Sequence, residues 1–356
     1  MAYASGYFKT DYAMELRLIE TRWQKVSAAA FVLALGVFPL LAPQFAIGIA
    51  NQVFIAVVGA AALMLLTGYA GQISLGHAGL LAAGALTTGI LFKELGATFW
   101  ITLPASAAVG AALGLLFGLP SLRLKGLYLA ITTLALHFVV AFVGGEYETR
   151  RGFSTGILVN PPALGGFALQ EQQHWYYVLL AVAAAAMLFC INLLRSRTGR
   201  ALMAIRDHDI VAESLGIPVR RYKLLIFVVS STMTSVAGCL LAYYRGFVSI
   251  EAFSLYLTID YVAMVIIGGL GSLLGVVLGA LFVITFPYVI EGLLGILPIP
   301  AGIANEIFAI NYAAFGLVMI LFLVFEPLGL VGIWRRARNY FLLWPYRQTA
   351  VGGGGA

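Results

Sequence analysis

The sequence predicts an all-α fold, a polytopic transmembrane bundle of about ten helices, and three observations support this prediction. Of the 356 residues, 62% are hydrophobic and 10% are charged, so the chain holds more apolar surface than one water-soluble core could bury. The apolar residues occur in runs close to the length that a helix needs to cross a bilayer. Polar stretches that carry Lys and Arg separate these runs.

Each apolar run predicts one crossing helix, except for one long run that predicts two. Residues 257–294 are too many for a single crossing of about twenty residues. The sequence Gly268-Gly269-Leu270-Gly271-Ser272 interrupts this run, and we call residues 268–272 the glycine break. The predicted crossings are residues 26–42, 45–67, 74–92, 99–119, 126–143, 175–194, 224–244, 257–270, 273–293 and 307–325.

The distribution of basic residues predicts the orientation of the bundle. With both termini in the cytoplasm, the cytoplasmic side carries all of the 21 Lys and Arg residues except Lys93, Arg150, Arg151 and Arg245. This is the positive-inside pattern of a multi-pass membrane protein. Because topology explains the formal charge of +6, we expect no nucleic-acid partner. The predicted parts are a cytoplasmic segment, 1–25, a transmembrane domain, 26–325, which includes an external loop, 144–174, and a cytoplasmic loop, 195–223, and a cytoplasmic tail, 326–356.

The cytoplasmic loop, residues 195–223, is the most polar internal stretch, and we call it the basic loop. It holds seven of the Lys and Arg residues. Ser196 or Thr198 can cap a helix that runs to Arg206, because a hydroxyl oxygen accepts a hydrogen bond from a free amide of the first turn.

A second, shorter helix is predicted within the basic loop, at about residues 209–215. Asp207 or Asp209 can begin it, since acidic side chains are favoured at the positive end of a helix. Gly216 suits the C-terminal stop, and Pro218 prevents continuation. A short capped helix in a loop suits contact with another protein.

Residues 65–90, LLTGYAGQISLGHAGLLAAGALTTGI, combine glycines with a few polar side chains. Such a stretch is typical of a pathway wall or a hinge, where local helix breaks are tolerated beside a cavity. Close helix packing explains the glycines equally well. His77 is more typical of a hydrogen-bonded packing residue than of a proton relay. The candidate pathway or hinge residues are Gly71, Gln72, Ser74 and His77 in this stretch and Gly268, Gly269, Gly271 and Ser272 in the glycine break.

The sequence contains no Gly-Lys-Ser/Thr phosphate loop, so the chain is not expected to hydrolyse nucleotide itself. Carboxylates are scarce in the predicted spans, where Asp260 and Glu291 fall near span ends, and this disfavours a proton-driven carrier. Cys190 and Cys239 lack the spacing of metal ligands. We therefore expect no catalytic residues, no metal and no cofactor, and any ATP-derived work must come from another chain.

Four stretches together resemble a known family over nearly the full length of the chain: the inner-membrane permease subunits of branched-chain amino-acid ABC importers. Within the third of these stretches, residues 212–216 are similar to the EAA loop that docks on the ATPase of such importers, with Ser214 where a second alanine is common. The four stretches are TGYAGQISLGHAG at 67–79, LRLKGLYLAITTLA at 122–135, GRALMAIRDHDIVAESLGI at 199–217 and IIGGLGSLLGVVLGA at 266–280.

This resemblance implies an assembly of several chains in the membrane lipid. Its expected partners are a second, related permease subunit, two cytoplasmic ABC ATPases and a periplasmic substrate-binding protein. The binding protein would supply most of the selectivity, and the permease would alternate between outward and inward openings. The residues that the resemblance implies for coupling to the ATPase are Arg206, Asp207, Ala212, Glu213 and Gly216.

Two other classes of protein remain as alternatives. An ion-coupled secondary transporter of small polar solutes would also contain broken helices and inside-positive charge. A membrane enzyme would need a cluster of nucleophile, acid and base, and the predicted spans offer none. The residues do not distinguish branched-chain amino acids from other amino acids, amides, urea or aromatic acids as the cargo.

Overall fold

The computed structural model describes residues 22–122, 124, 126–153, 156–164, 167–169, 171–296, 307–326 and 328–343. Three parts of the sequence for which predictions were made lie outside the described residues. They are residues 1–21 of the N-terminal segment, the basic residues Arg123 and Lys125, and residues 344–356 of the tail.

The described chain is almost entirely helical, which confirms the predicted all-α class. Two short antiparallel strand pairs are the other regular elements that these ranges contain: β1 (Ile157–Leu158) with β4 (Phe247–Val248), and β2 (Ala163–Leu164) with β3 (Phe167–Ala168). The helices are α1 (Arg22–Leu41), α2 (Gln44–Leu63), α3 (His77–Leu95), α4 (Phe99–Ser121), α5 (Leu127–Arg151), α6 (Gln172–Arg195), α7 (Arg197–Asp207), α8 (Asp209–Ser214), α9 (Val219–Arg245), α10 (Leu255–Gly268), α11 (Leu273–Ile296), α12 (Ile307–Phe325) and α13 (Gly329–Leu343).

Within the described ranges, 8 helical segments are long and apolar enough to cross a membrane. They coincide with the second to ninth predicted crossings. The first and tenth predicted crossings correspond to shorter apolar helices, Ala29–Leu41 and Ala313–Phe322. The chain is thus a multi-pass membrane protein, and ten is an approximate count of its apolar segments.

Helix α9 lies at the centre of the bundle and packs against α3 and α4. The helices approach closely because small residues face each other: a Cβ atom on Gly84 would lie 2.0 Å from the carbonyl oxygen of Ser235. The hydroxyl of Ser235 in turn donates to the carbonyl of Leu80 at 3.0 Å. Small residues and hydroxyl-to-carbonyl bonds are how helices associate where there is no water to drive burial.

The ends of the helices that the basic residues predict to be cytoplasmic lie together at one end of the bundle. There the guanidinium of Arg206 reaches the carbonyl of Gly68, at the end of the α2 crossing. Gly329, at the start of α13, lies against Gly269 in the glycine break. We call this the basic-loop end of the bundle.

At the opposite end, the chain segments are joined by the β1–β4 pair and by one buried carboxylate. Glu148 accepts a hydrogen bond from the backbone N–H of Ile250 at 3.0 Å. Helix α5 continues to Arg151, so the first residues of the segment predicted as an external loop are helical instead. Arg151 forms an ion pair with Glu94 at 3.2 Å, which holds the end of α5 against the end of α3.

The predicted tail contains a helix, α13, that was not expected from the sequence. Its basic face is fixed by an ion pair between Arg336 and Glu326 at 2.7 Å. Val331 of α13 is buried, whereas Trp334 and Tyr340 are exposed. One face of the tail helix therefore packs on the basic-loop end of the bundle.

Candidate functional site: the basic loop and the cleft beside it

The first helix of the basic loop, α7, begins as predicted. The hydroxyl oxygen of Ser196 accepts a hydrogen bond from the backbone N–H of Gly199 at 3.4 Å, so Ser196 rather than Thr198 is the cap. Ala201, Leu202 and Ile205 are buried on one face of α7. This helix is therefore packed onto the membrane domain and is not a free surface element.

The second helix, α8, is separated from α7 by His208, whose backbone is extended at φ −153°. Helix α8 is held against the bundle in two ways. Its residue Ala212 is buried, and the carboxylate of Asp209 lies 3.6 Å from the ammonium group of Lys223 at the start of α9. The helix ends at Gly216, whose φ of +82° favours glycine. The N–H of Ile217 then closes the end by donating to the carbonyl of Ala212 at 3.0 Å.

The other face of α8 is apolar and exposed. The exposed fractions are 73% for Ile210, 55% for Val211 and 77% for Leu215. Glu213 and Asp207, two of the predicted coupling residues, are also exposed at this end of the bundle. Three exposed large aliphatic residues on one short capped helix form a small apolar surface with an acidic edge, and we call it the α8 face.

The ATPase-coupling role that the resemblance implies for Arg206 stays a prediction. Arg206 is exposed, and its side chain also reaches the membrane domain. Its Nη1 donates to the carbonyl oxygen of Gly68 at 2.6 Å. Gly68 belongs to a single π-helical segment, Met64–Tyr69, that ends the α2 crossing. A Cβ atom on Gly71 would lie 3.6 Å from the Cγ atom of Arg206, and one on Gly271 would lie 3.0 Å from its Nη1.

A cleft of about 370 Å³ opens beside Arg206, between the end of the α2 crossing and α10. Arg206 is the charged side chain among its lining residues. The cleft brings together two of the predicted pathway residues, Gly71 and Ser74, and one residue of the glycine break, Leu270. Its walls are otherwise mainly aliphatic, and they include Leu63, Val262, Val265 and Ile266.

Gln72 and His77 do not line this cleft. Gln72 lines a neighbouring cavity of about 250 Å³ together with Asp207 and Lys223, and this cavity shares Gly71 and Arg206 with the cleft. His77 is buried, its ring centroid is 4.7 Å from that of Tyr261, and its imidazole hydrogen-bonds the backbone of Gly59. These contacts are those of a packing residue, and the pathway role of both side chains stays a prediction.

The glycine break packs directly against the π-helical segment. The backbone N–H of Gly271 lies 3.2 Å from the Sδ atom of Met64. Gly268 lies close to the next helix, where a Cβ atom would lie 2.0 Å from the carbonyl oxygen of Gly275. The hydroxyl of Ser272 accepts from the N–H of Gly275 at 3.3 Å and so begins α11. Gly269 has a φ of +117°.

The basic loop and the glycine break both lie in a part of the chain that matches a known protein family. The family described as "Branched-chain amino acid transport system / permease component" matches residues 45–324. The chain belongs to this family. The matched range contains α2 to α11, the basic loop and the glycine break, so it includes the whole of the candidate site.

Relatives of this permease component are named for different solutes. The high-affinity branched-chain amino acid transport system permease protein LivM of Escherichia coli (strain K12) is 29% identical over 88% of this chain and 76% of its own length. The autoinducer 2 import system permease protein LsrC of Enterobacter sp. (strain 638) is 27% identical over 73% of this chain and 77% of its own. The L-arabinose transport system permease protein AraH of E. coli K12 is 27% identical over 48% of this chain and 51% of its own.

Two residues of this permease that support the site were not found by sequence reasoning. Thr133 accepts a hydrogen bond from the N–H of Leu75 at 2.9 Å, and Thr258 accepts one from the N–H of Ala78 at 3.0 Å. Both threonines satisfy free amides at the start of α3 and so fix the turn that contains Gly71 and Ser74. A threonine in an apolar span indicates that a polar partner exists. The partners of Thr133 and Thr258 lie 58 and 180 residues away along the chain, so local sequence does not identify them.

Proposed function

We propose that this chain is the membrane-spanning permease subunit of an ATP-driven importer for branched-chain amino acids or related small solutes. It would reside in a bacterial inner membrane with both termini in the cytoplasm. It would work with a second, related permease, two cytoplasmic ATPases and a periplasmic substrate-binding protein. The observation that carries the proposal is the α8 face, an exposed apolar surface on a capped helix at the basic-loop end of the bundle.

The α8 face has the character of a protein docking surface. Ile210, Val211 and Leu215 expose aliphatic side chains beside charged groups, and exposed apolar clusters with a polar rim mark interaction sites. Within the membrane domain such residues would face lipid, but α8 is only six residues long and lies in the polar loop between two crossings. A cytoplasmic protein is therefore the partner that this surface fits.

Force on α8 would be passed to the bundle through short, fixed contacts. Ala212 is buried on the inner face of α8, and Asp209 of α8 forms an ion pair with Lys223 of α9. Helix α9 crosses the whole bundle and packs against α3 and α4. ATP-driven closure of the ATPase pair could thus move the central helix without a flexible joint between them.

The cleft supports a passage for a small solute rather than a tight binding site. Its lining is mainly aliphatic, and a conduit must release what it admits, so weak interaction with the cargo is an advantage. An aliphatic lining is compatible with leucine, isoleucine or valine. Branched-chain amino acids are preferred here because the family that matches residues 45–324 is described as a branched-chain amino acid transport component.

The proposal is tested with the assembled complex in liposomes. Its ATPase activity should rise when binding protein loaded with leucine is added, and leucine should accumulate only with ATP present. Glu213→Lys, which reverses the charge at the edge of the α8 face, and Gly216→Pro, which cannot adopt φ +82°, should each uncouple or disassemble the complex.

Glu171→Lys is the matched control for the charge reversal, since the Glu171 side chain is 69% exposed at the end of the bundle opposite to the basic loop. The control should retain its ATPase subunits. Normal ATP-driven uptake by both α8 variants would contradict the proposal. Uptake by the lone chain under an ion gradient would favour the ion-coupled secondary transporter instead.

A further inference from the structure

Arg206 connects three segments that are far apart in the sequence. It belongs to the last turn of α7, its Nη1 donates to the carbonyl of Gly68, and it lies against Gly271 in the glycine break. The bond to Gly68 joins residues 138 positions apart. The two segments that Arg206 joins to α7 also form two sides of the cleft, through Gly68 and Leu270.

The acceptor of this bond is well suited to a cation. Gly68 lies in the last turn of the α2 crossing, where carbonyl groups lack intrahelical partners and carry the partial negative charge of the helix dipole. A guanidinium that donates to such a carbonyl makes a charge-assisted hydrogen bond, which is stronger than a neutral one. π-Helical turns are frequent at functional sites, so the acceptor also lies in an unusual part of the helix.

Two glycines face each other and Arg206 at close range. A Cβ atom on Gly271 would come within 3.0 Å of the guanidinium, and one on Gly68 would come within 3.1 Å of the backbone nitrogen of Gly271. A methyl group at either position would require the guanidinium or the backbone of the glycine break to shift by a few tenths of an ångström. The fit depends on all three segments holding their present positions.

We propose that Arg206 is a positioning residue of the transport cycle, which ties movement of α7 to the width of the cleft and does not itself hold the ATPase. This inference rests on the proposed function, because it assumes that α7 and α8 are moved by an ATPase. When α7 shifts, the bond to Gly68 either carries the end of the α2 crossing with it or breaks. If the bond holds, the distance between Gly68 and Leu270 across the cleft changes. If the bond breaks, movement of α7 no longer reaches the cleft through Arg206.

The experiment compares Arg206→Ala with Ile210→Asp in the complete complex. For Arg206→Ala we expect the ATPase subunits to stay bound while leucine uptake per ATP falls about tenfold, the size of a typical coupling between two sites. Arg206→Gln keeps amide donors without the charge, and Arg206→Lys keeps the charge without the planar fork, so each should restore part of the lost uptake. Ile210→Asp should instead release the ATPase subunits.

A distance measurement separates positioning from a general structural role. Spin labels at Ile73 and Leu270, both about half exposed, report the width of the cleft. In the parent complex this distance should change when ATP is added. In Arg206→Ala the change should disappear although the ATPase is still bound.

Gly271→Ala provides a second, independent variant. It introduces a methyl group 3.0 Å from Nη1 of Arg206, whereas Gly152→Ala has a similar positive φ of +71° with open space around it. Gly271→Ala should lower uptake more than Gly152→Ala, and this excess should vanish in the Arg206→Ala background.

The outcomes are distinguishable. If Ile210→Asp and Arg206→Ala both release the ATPase, Arg206 acts at the docking surface and the positioning role is wrong, while the proposed function stands. Normal uptake and a normal ATP-dependent distance change in Arg206→Ala would also overturn the positioning role. If Ile210→Asp keeps both the ATPase and uptake, the proposed function itself fails.

Discussion

The two helices of the basic loop are neighbours in the chain but face opposite directions. Helix α7 buries Leu202 and Ile205 and extends Arg206 into the membrane domain. Helix α8 buries Ala212 and exposes Ile210 and Leu215. Helix α7 is thus packed on the bundle, and helix α8 presents an apolar face at the surface of the protein.

This difference separates two tasks that a single coupling loop must perform. A partner can grip only what is exposed, and the membrane domain can respond only to what is packed against it. One residue, His208, separates the two helices, and each helix has its own contacts with the bundle. Variants in α7 and α8 should therefore fail in different ways.

The largest effect should come from the double change Ile210→Asp with Leu215→Asp. Two carboxylates on the α8 face would be desolvated in a docked complex, and hot-spot residues each contribute about 2 kcal/mol or more, so affinity for the ATPase should fall at least about a hundredfold. Affinity is measured by titrating ATPase subunits onto the purified permease. Leu158→Asp is the control, since Leu158 is 74% exposed at the opposite end, and an equal loss there would contradict the docking role.

Leu202→Ala should weaken the packing of α7 on the membrane domain. Removal of a fully buried leucine side chain typically costs about 2–5 kcal/mol, and the cost should appear as faster hydrogen exchange in α7. Affinity for the ATPase should fall less than in the double α8 variant. Met203→Ala removes the neighbouring, exposed side chain, and it should leave the exchange rate of α7 unchanged.

Gly216→Ala should weaken the end of α8. A residue with a side chain at φ +82° costs about 1–2 kcal/mol. ATPase affinity should then fall by roughly tenfold at most, because part of the population loses the α8 geometry. Gly96→Ala carries a similar strain at φ +59° at the opposite end, so equal effects of the two variants on ATPase affinity would argue against the comparison.

Ser196→Ala should have the smallest effect. It removes the hydroxyl that accepts from the N–H of Gly199, and loss of such a cap costs about 1 kcal/mol. Exchange of the first amides of α7 should rise a few-fold, while ATPase affinity stays near that of the parent. A larger loss of affinity than in Gly216→Ala would mean that α7, not α8, forms the docking surface.

Local rules made α7 and α8 predictable from the sequence. Capping by Ser196, the acidic start at Asp209 and the stop at Gly216 depend on residues a few positions apart, so the predicted 209–215 differs little from the observed Asp209–Ser214. The apolar crossings were predictable for a similar reason, since length and hydropathy are local properties.

Long-range contacts were not predictable. The direction of Arg206 depends on Gly68, and the position of Ser74 in the cleft depends on how α10 packs. No local pattern links these partners. The ATPase-coupling role that the resemblance implied for Arg206 stays a prediction beside its contact with Gly68. The tail helix α13 was not predicted, because residues 326–356 were assigned only as a cytoplasmic tail beyond the last apolar run.

Site-specific photo-crosslinking at residue 215 tests the central claim most directly. A photoreactive amino acid in place of Leu215 should crosslink to the ATPase in intact cells, and the same group in place of Leu158 should not, although the two side chains are similarly exposed. If residue 215 gives no ATPase adduct, or if it reacts with a membrane-impermeant reagent added outside the cell membrane, the α8 face is not the coupling surface.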